Sequence, residues 1–211
     1  MSKSSQRDAV AHQKQSFIRR YVFSTDHKVI GIQYFLTGGL MGLLGAALAA
    51  LIRLQLAWPG RQWEWLAVLF PIGMESGVMR PEFYIAMVTM HGTIMIFFFV
   101  SLCLVSGFGN FLIPLQIGAR DMAFPFLNML SYWTIVPAIL IAAASGWTAY
   151  PPLSAVQTAV PGSGWGQTLW LLALALFIVS FTMGSLNFVT TIINMRAVGM
   201  SLLRMPLIIW T

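Results

Sequence analysis

Charge is what this sequence has least of. Asp, Glu, Lys and Arg make up only 9% of its 211 residues, against roughly 25% in a soluble domain. So few charges cannot cover a water-facing surface. Cysteine is nearly absent as well. The single thiol, Cys103, lies in an apolar run, which excludes a disulfide within the chain and reads as a small buried hydrophobe. Internal repeats and low-complexity tracts are missing too. What remains is apolar: hydrophobic residues form 58% of the chain and the mean hydropathy is +0.78, the composition of a protein whose main solvent is lipid.

Four runs are long enough to span a bilayer, at about 29–52, 84–113, 123–146 and 168–194. Each exceeds the ~20 residues needed to cross ~30 Å of hydrocarbon. In lipid every backbone amide must find its partner inside its own segment, so the runs predict helices and an all-α, polytopic membrane fold. A further apolar segment starts at Pro206, and the sequence reads as the N-terminal part of something longer. The expected organisation is a basic cytoplasmic tail over 1–28 and a membrane domain over 29–211. The stretch 63–70 is too short to span and suits the outer interface or a re-entrant turn.

The net charge of +6 does not imply nucleic acid, because of where the charges lie. Lys3, Arg7, Lys14, Arg19, Arg20 and Lys28 all precede the first long apolar run, which predicts an N-terminus on the cytoplasmic side of a plasma membrane. Arg120, Arg196 and Arg204 return in the later inner loops, the loop 147–167 has no Lys or Arg, and the first outer loop balances Arg53, Arg61 and Arg80 against Glu64, Glu75 and Glu82. Trp58, Trp63, Trp65, Trp133, Trp147, Trp165 and Trp170 lie mostly near segment ends, as an interfacial belt would.

Few residues could carry chemistry. His91 is the only histidine inside a spanning run. It falls about eight residues into the second helix, ~12 Å along its axis, hence in the outer half of the membrane. An ionisable group there is costly and marks a candidate site, and imidazole is a good axial ligand for haem iron. The spacing alone leaves open a histidine that merely bonds a neighbouring helix. Arg53 ends the first helix on the outer side at a depth expected to match that of His91. It offers planar donors for a carbonyl or carboxylate, or else snorkels to the interface. The four asparagines, Asn110, Asn128, Asn187 and Asn194, all fall at inner helix ends, and Asp121 stands in the inner loop before the third helix. A carboxylate at the membrane face followed by amides could hold a file of water. The simpler readings are a helix cap for Asp121 and interhelical hydrogen bonds for the amides. Met87, Met95, Phe97, Phe98 and Phe99 could wall an apolar cofactor pocket, but helix packing and lipid contact explain most of them as well.

Several runs resemble subunit I of the cytochrome c oxidases, in the haem–copper oxidase family. They are Ser24-Thr25-Asp26-His27-Lys28, the run from His91 to Phe98, and the run from Gly107 to Leu115. Those from Gly118 to Pro125, from Gly146 to Leu153 and from Asn187 to Met195 follow in the family's order. The resemblance implies four helices and the start of a fifth in a twelve-helix bundle, in a bacterial plasma membrane. It implies that His91 is an axial ligand of a low-spin haem a, that Arg53 bonds the haem formyl, and that Tyr84 and Trp147 lie beside the propionates. It further implies that Asp121 is the mouth of a proton channel lined by Asn110, Asn128, Asn187, Tyr34 and Ser180. The implied partners are the remaining helices of subunit I, subunits II and III, cytochrome c as donor, and membrane lipid.

The match has gaps. Met129 stands where a second asparagine is frequent, Phe181 where a second serine is frequent, and Gln55 where many members place a carboxylate for an outer cation. The first outer loop is longer than the family's usual one. The resemblance further implies that the high-spin haem, the copper ligands and the rest of the proton path would belong to helices beyond residue 211, which dioxygen reduction would need. A quinol oxidase of the same family is the nearest alternative, and a cofactor-free membrane scaffold or transporter segment is the alternative from another class.

Overall fold

The structure is a computed structural model that describes residues 16–142 and 165–210. Trp147 lies outside them. Among the described residues four helices have the length and hydropathy to cross a membrane. We label them α1, His27–Ala57; α3, Pro81–Ile117; α4, Pro125–Ala142; and α5, Gly166–Asn194. Between α1 and α3 come a short helix α2, Glu64–Leu69, and a hairpin of β1, Met74–Glu75, and β2, Val78–Met79. After α5 come a 3₁₀ turn, Leu202–Arg204, and a short helix α6, Leu207–Trp210. The protein is an all-α integral membrane protein; the first, second and fourth spans run up to a few residues past their expected ends, while α4 starts at Pro125 rather than 123 and is described to Ala142.

Local chemistry sets the boundaries. Asp26 caps α1, its carboxylate accepting from the backbone N–H groups of Lys28 and Val29, as a good N-cap does. Pro81 opens α3, where its missing N–H costs nothing. Gly118 ends α3 in the left-handed region at φ 73°, a conformation glycine adopts without strain. The centre of α3, Ile94–Gly107, is wound as a π-helix, and Ser101 Oγ donates to the Ile96 carbonyl five residues back.

The most extensive pairings are α1 with α3 and α4 with α5. Small residues allow the first. A methyl group at Gly38 would stand 2.6 Å from Cys103 Sγ, and one at Gly42 would stand 2.6 Å from the Phe99 ring, so glycine here lets two helices approach closely. One apolar core joins the four spans through Ile30, Met41, Phe98, Leu102, Ile135 and Phe177. A second, smaller core lies under the first loop, where Leu66, Met74, Met79 and Met87 pack with Leu51, Ile52, Trp63, Phe83 and Tyr84. That packing accounts for the long loop: its α2 and hairpin fold over the ends of α1 and α3.

Two tryptophans depart from the belt expected of them. Trp170 is buried within α5. Trp133 stands eight positions into α4 and donates its indole N–H to the Val22 carbonyl at 3.0 Å, which makes it a tether rather than an interfacial residue. Trp58, Trp65 and Trp165 are exposed.

Candidate functional site

Polar side chains gather at two levels of the bundle. The first is a single imidazole. His91 is half-buried, and its Nδ1 lies 2.9 Å from the backbone carbonyl of Gly45. A carbonyl only accepts, so Nδ1 carries a proton, and Nε2 has no hydrogen-bond partner among the described residues. Gly45 follows the start of α1 by 18 residues and precedes its end by 12, which puts His91 on the side of the bundle nearer the 58–80 loop. Beside it, a side chain at Gly92 would meet nothing within 4 Å. The ring is thus oriented through one nitrogen.

Arg53 and Tyr84 relate to this ring differently. Tyr84 precedes His91 by seven residues, two turns along one face of α3, and packs half-buried in the smaller core. Arg53 follows Gly45 by eight residues, about 12 Å farther along α1, and is exposed. It does not share the depth of His91 as expected, although side chains lean toward a helix N-terminus and so back toward that level.

The second level is a cluster at the opposite end. Ser131 Oγ donates to the Asn128 carbonyl at 2.7 Å, and its remaining capacity accepts from the Tyr34 hydroxyl at 2.9 Å. Ser180 Oγ donates to the Ser131 carbonyl at 2.7 Å. These groups tie α1, α4 and α5 together, and all are buried. The asparagines then separate by role. Asn187 is engaged on both sides of its amide by the Phe124 backbone, accepting from the N–H at 2.9 Å and donating to the carbonyl at 3.2 Å. Thr191 accepts from the Ala123 N–H at 2.9 Å. Together they close the N-terminus of α4. Asn194 is exposed at the end of α5.

Asn110 and Asn128 have capacity to spare. Asn110 donates to the Ser106 carbonyl, but its Oδ1 has no partner, and neither amide atom of Asn128 has one. Asn128 has zero exposure. An unsatisfied buried amide costs about 1–3 kcal/mol per group, so water is the natural partner for these atoms. Asp121 does not cap α4. Its Oδ1 accepts only from the adjacent Met122 N–H at 2.8 Å, and it borders a cavity of about 480 Å³ shared with Arg19, Arg20 and Asp26.

Sequence reasoning passed over two members of this cluster. Ser131 stands three residues after Asn128, one turn along the same face, and that spacing could have found it. His27 is buried at the first position of α1, with Nδ1 donating to the Asn110 carbonyl at 2.8 Å. Only the approach of α3 makes it a core residue.

Comparison with known proteins follows from this geometry. The profile of the family described as Cytochrome C and Quinol oxidase polypeptide I matches residues 29–211. Alternative cytochrome c oxidase subunit 1 of Bradyrhizobium diazoefficiens is 42% identical over 96% of this chain and 34% of its own length. Cytochrome c oxidase subunit 1 of Cereibacter sphaeroides is 37% identical, over 95% of this chain and 39% of its own length. The protein of that name from Thermostichus vulcanus is 40% identical, over 90% of this chain and 32% of its own length. The chain therefore spans about a third of the length of these curated relatives.

Proposed function

The chain belongs to the cytochrome c and quinol oxidase subunit I family, and from that membership we propose that it supplies the first helices of a haem–copper oxidase that passes electrons from cytochrome c to dioxygen and couples this to proton movement. The names of the relatives favour cytochrome c over quinol as donor. The remaining helices of subunit I and the partner subunits II and III would complete the enzyme, in a bacterial inner membrane with this N-terminus on the cytoplasmic side.

The observation that carries this reading is the state of His91. Its Nδ1 proton is engaged by the Gly45 carbonyl, and its Nε2 has no partner among the described residues and stands ready for a ligand. A backbone carbonyl on the far nitrogen fixes a metal-ligating histidine and raises its basicity, so these residues fit a haem. Bound there, a low-spin haem a supplies one-electron transfer, while the protein supplies ligation and electrostatics. In this reading His91 holds the iron through Nε2, and Arg53 stabilises an oxygen at the haem edge. Tyr84 stands at the propionate side, as the resemblance also implies for Trp147.

At the other level Asp121 takes protons from water at the membrane face. The unpaired amides of Asn110 and Asn128 hold water behind it. The hydroxyls of Tyr34, Ser131 and Ser180 continue the polar file, and His27 fixes the Asn110 backbone beside its start. Asn187 contributes by clipping the Asp121 loop onto α5.

An absorption spectrum of the purified enzyme tests the ligand. His91→Ala is expected to lose the low-spin haem band. A variant that keeps an unchanged six-coordinate low-spin spectrum overturns the assignment.

A further inference from the structure

Residues 16–26 fold back onto the bundle as a strap. Gln33 Nε2 donates to the carbonyls of Tyr21 and Val22 at 2.7 and 2.9 Å, and Trp133 Nε1 donates to the same Val22 carbonyl at 3.0 Å. Gln33 belongs to α1 and Trp133 to α4, so two helices grip one turn of chain. That turn, Ile18–Val22, is closed by the Phe23 N–H on the Ile18 carbonyl at 2.9 Å. Most side chains of the strap are exposed, Arg19 and Arg20 among them. With so little of it buried, the three side-chain bonds and one ring contact, Phe23 on Trp133 at 4.9 Å, are what hold it.

Two features depend on the strap. Residues 19–26 supply most of the lining of the cavity of about 480 Å³ that borders Asp121. A released strap would take that wall with it. The other feature is a run of rings. Phe23 touches Trp133, Trp133 meets Tyr132 edge-on at 5.6 Å, and Tyr132 meets Tyr34 edge-on at 5.2 Å. The Tyr132 hydroxyl is pinned as well, 2.9 Å from Thr37 Oγ1. Tyr34 ends the run with its hydroxyl on Ser131 Oγ at 2.9 Å. Edge-to-face rings orient one another, and contiguous packed side chains of this kind can carry coupling between two places in a protein. A hydrogen-bonded file fails where one hydroxyl turns out of line.

We propose that Gln33 and Trp133 are positioning residues for proton uptake. They hold the strap as the wall of the water cavity before Asp121, and the rings from Phe23 to Tyr34 pass that docking on to the hydroxyl file behind it. Neither residue carries a proton along the route. The Gln33 amide does not titrate and the Trp133 indole only donates, so both act by placement. The cavity stays open to water throughout, because the strap bounds it without filling it. The inference rests on the reading of Asp121 as the proton entrance and adds the residues that keep this entrance in shape.

The test uses the complete enzyme in detergent, where both faces are open to reagents. Trypsin cleavage after Arg19 and Arg20, read by mass spectrometry, reports strap docking. A pH-indicator dye reports proton uptake when the reduced enzyme meets dioxygen, and reduction of the low-spin haem by a soluble reductant is the control. Gln33→Met with Trp133→Phe keeps much of the bulk and removes all three bonds. Cleavage should speed up about a hundredfold, three hydrogen bonds at about fivefold each. Proton uptake should slow about tenfold, less than the loss of the carboxylate itself, with haem spectrum and haem reduction unchanged. A chain shortened to begin at Ser24 leaves α1, α4 and the Asp26 cap intact and should slow uptake equally. Cleavage at the wild-type rate in the double variant, or uptake unchanged or faster in either variant, overturns the proposal. So does loss of haem reduction in step with uptake, which would mark a general loss of packing. Asp121→Asn, run alongside, separates the two failures: if it slows uptake while the strap variants do not, only the positioning role falls, and if it too has no effect, the proton entrance falls and the proposal with it.

Discussion

The end of the bundle near His91 and the end near Asp121 handle polar groups in opposite ways. Near His91 one half-buried imidazole is fixed by a single bond to the Gly45 carbonyl. Near Asp121 a set of small polar side chains shares bonds among three helices, and two of its amides stay unpaired. A ligand for a fixed centre needs one well-aimed lone pair and dry surroundings. A route for protons needs surplus donors and acceptors that water can use. The contrast sits also within one residue type: Asn187 and Asn128 are both buried, yet Asn187 has its amide fully engaged and Asn128 has none of it engaged. Burial alone therefore does not tell a structural amide from a water-binding one; the count of satisfied atoms does.

The comparison can be broken at the Asp121 end first. Asp121→Asn in the complete enzyme keeps size and shape but removes the titrating group. Turnover should fall by about a hundredfold, the low end of what a positioned proton donor contributes, while the haem spectrum stays unchanged. Equal turnover in wild type and variant would remove Asp121 from the proton route. The next largest effect is expected at the His91 end. Gly42→Leu drives a side chain into Phe99, where overpacking costs about 1–3 kcal/mol. The melting temperature in detergent should drop and the low-spin band should shift as α1 moves from α3. A stable variant with a normal spectrum would show that the close approach does not set the ring's position.

The two asparagines sharpen the contrast with smaller effects. Asn187→Ala orphans the Phe124 N–H and carbonyl and should cost about 2 kcal/mol, two hydrogen bonds at ~1 kcal/mol each. Asn128→Leu removes two unpaired polar atoms of similar volume and should change stability by less than ~1 kcal/mol, yet it should slow proton uptake. If unfolding measurements rank the two the other way, the division between clip and water-binding amide fails.

Legibility followed the range of the physics involved. The spans were readable because run length and the need to satisfy each backbone amide are local properties. His91, Asp121 and the asparagines stood out because polar residues beside apolar runs are few. His27 did not, since its burial depends on Asn110, distant in sequence. Nor did the docking of residues 16–26, which rests on Gln33 of α1 and Trp133 of α4. Asp121 taken singly read as a cap of the third helix, and only the structure shows that Asn187 and Thr191 occupy the start of α4 instead.

The sequence by itself determined that this protein lives in a bilayer, where along the chain its four spanning helices fall, and which family it belongs to, because hydropathy, helix length and motif order are written along one chain. The tertiary structure alone decided which nitrogen of His91 is free, which asparagine has atoms to spare, and that the chain ahead of α1 is bonded to Gln33 and Trp133. Each of those depends on what another helix brings within hydrogen-bonding distance, and composition and spacing along a single segment do not contain that distance.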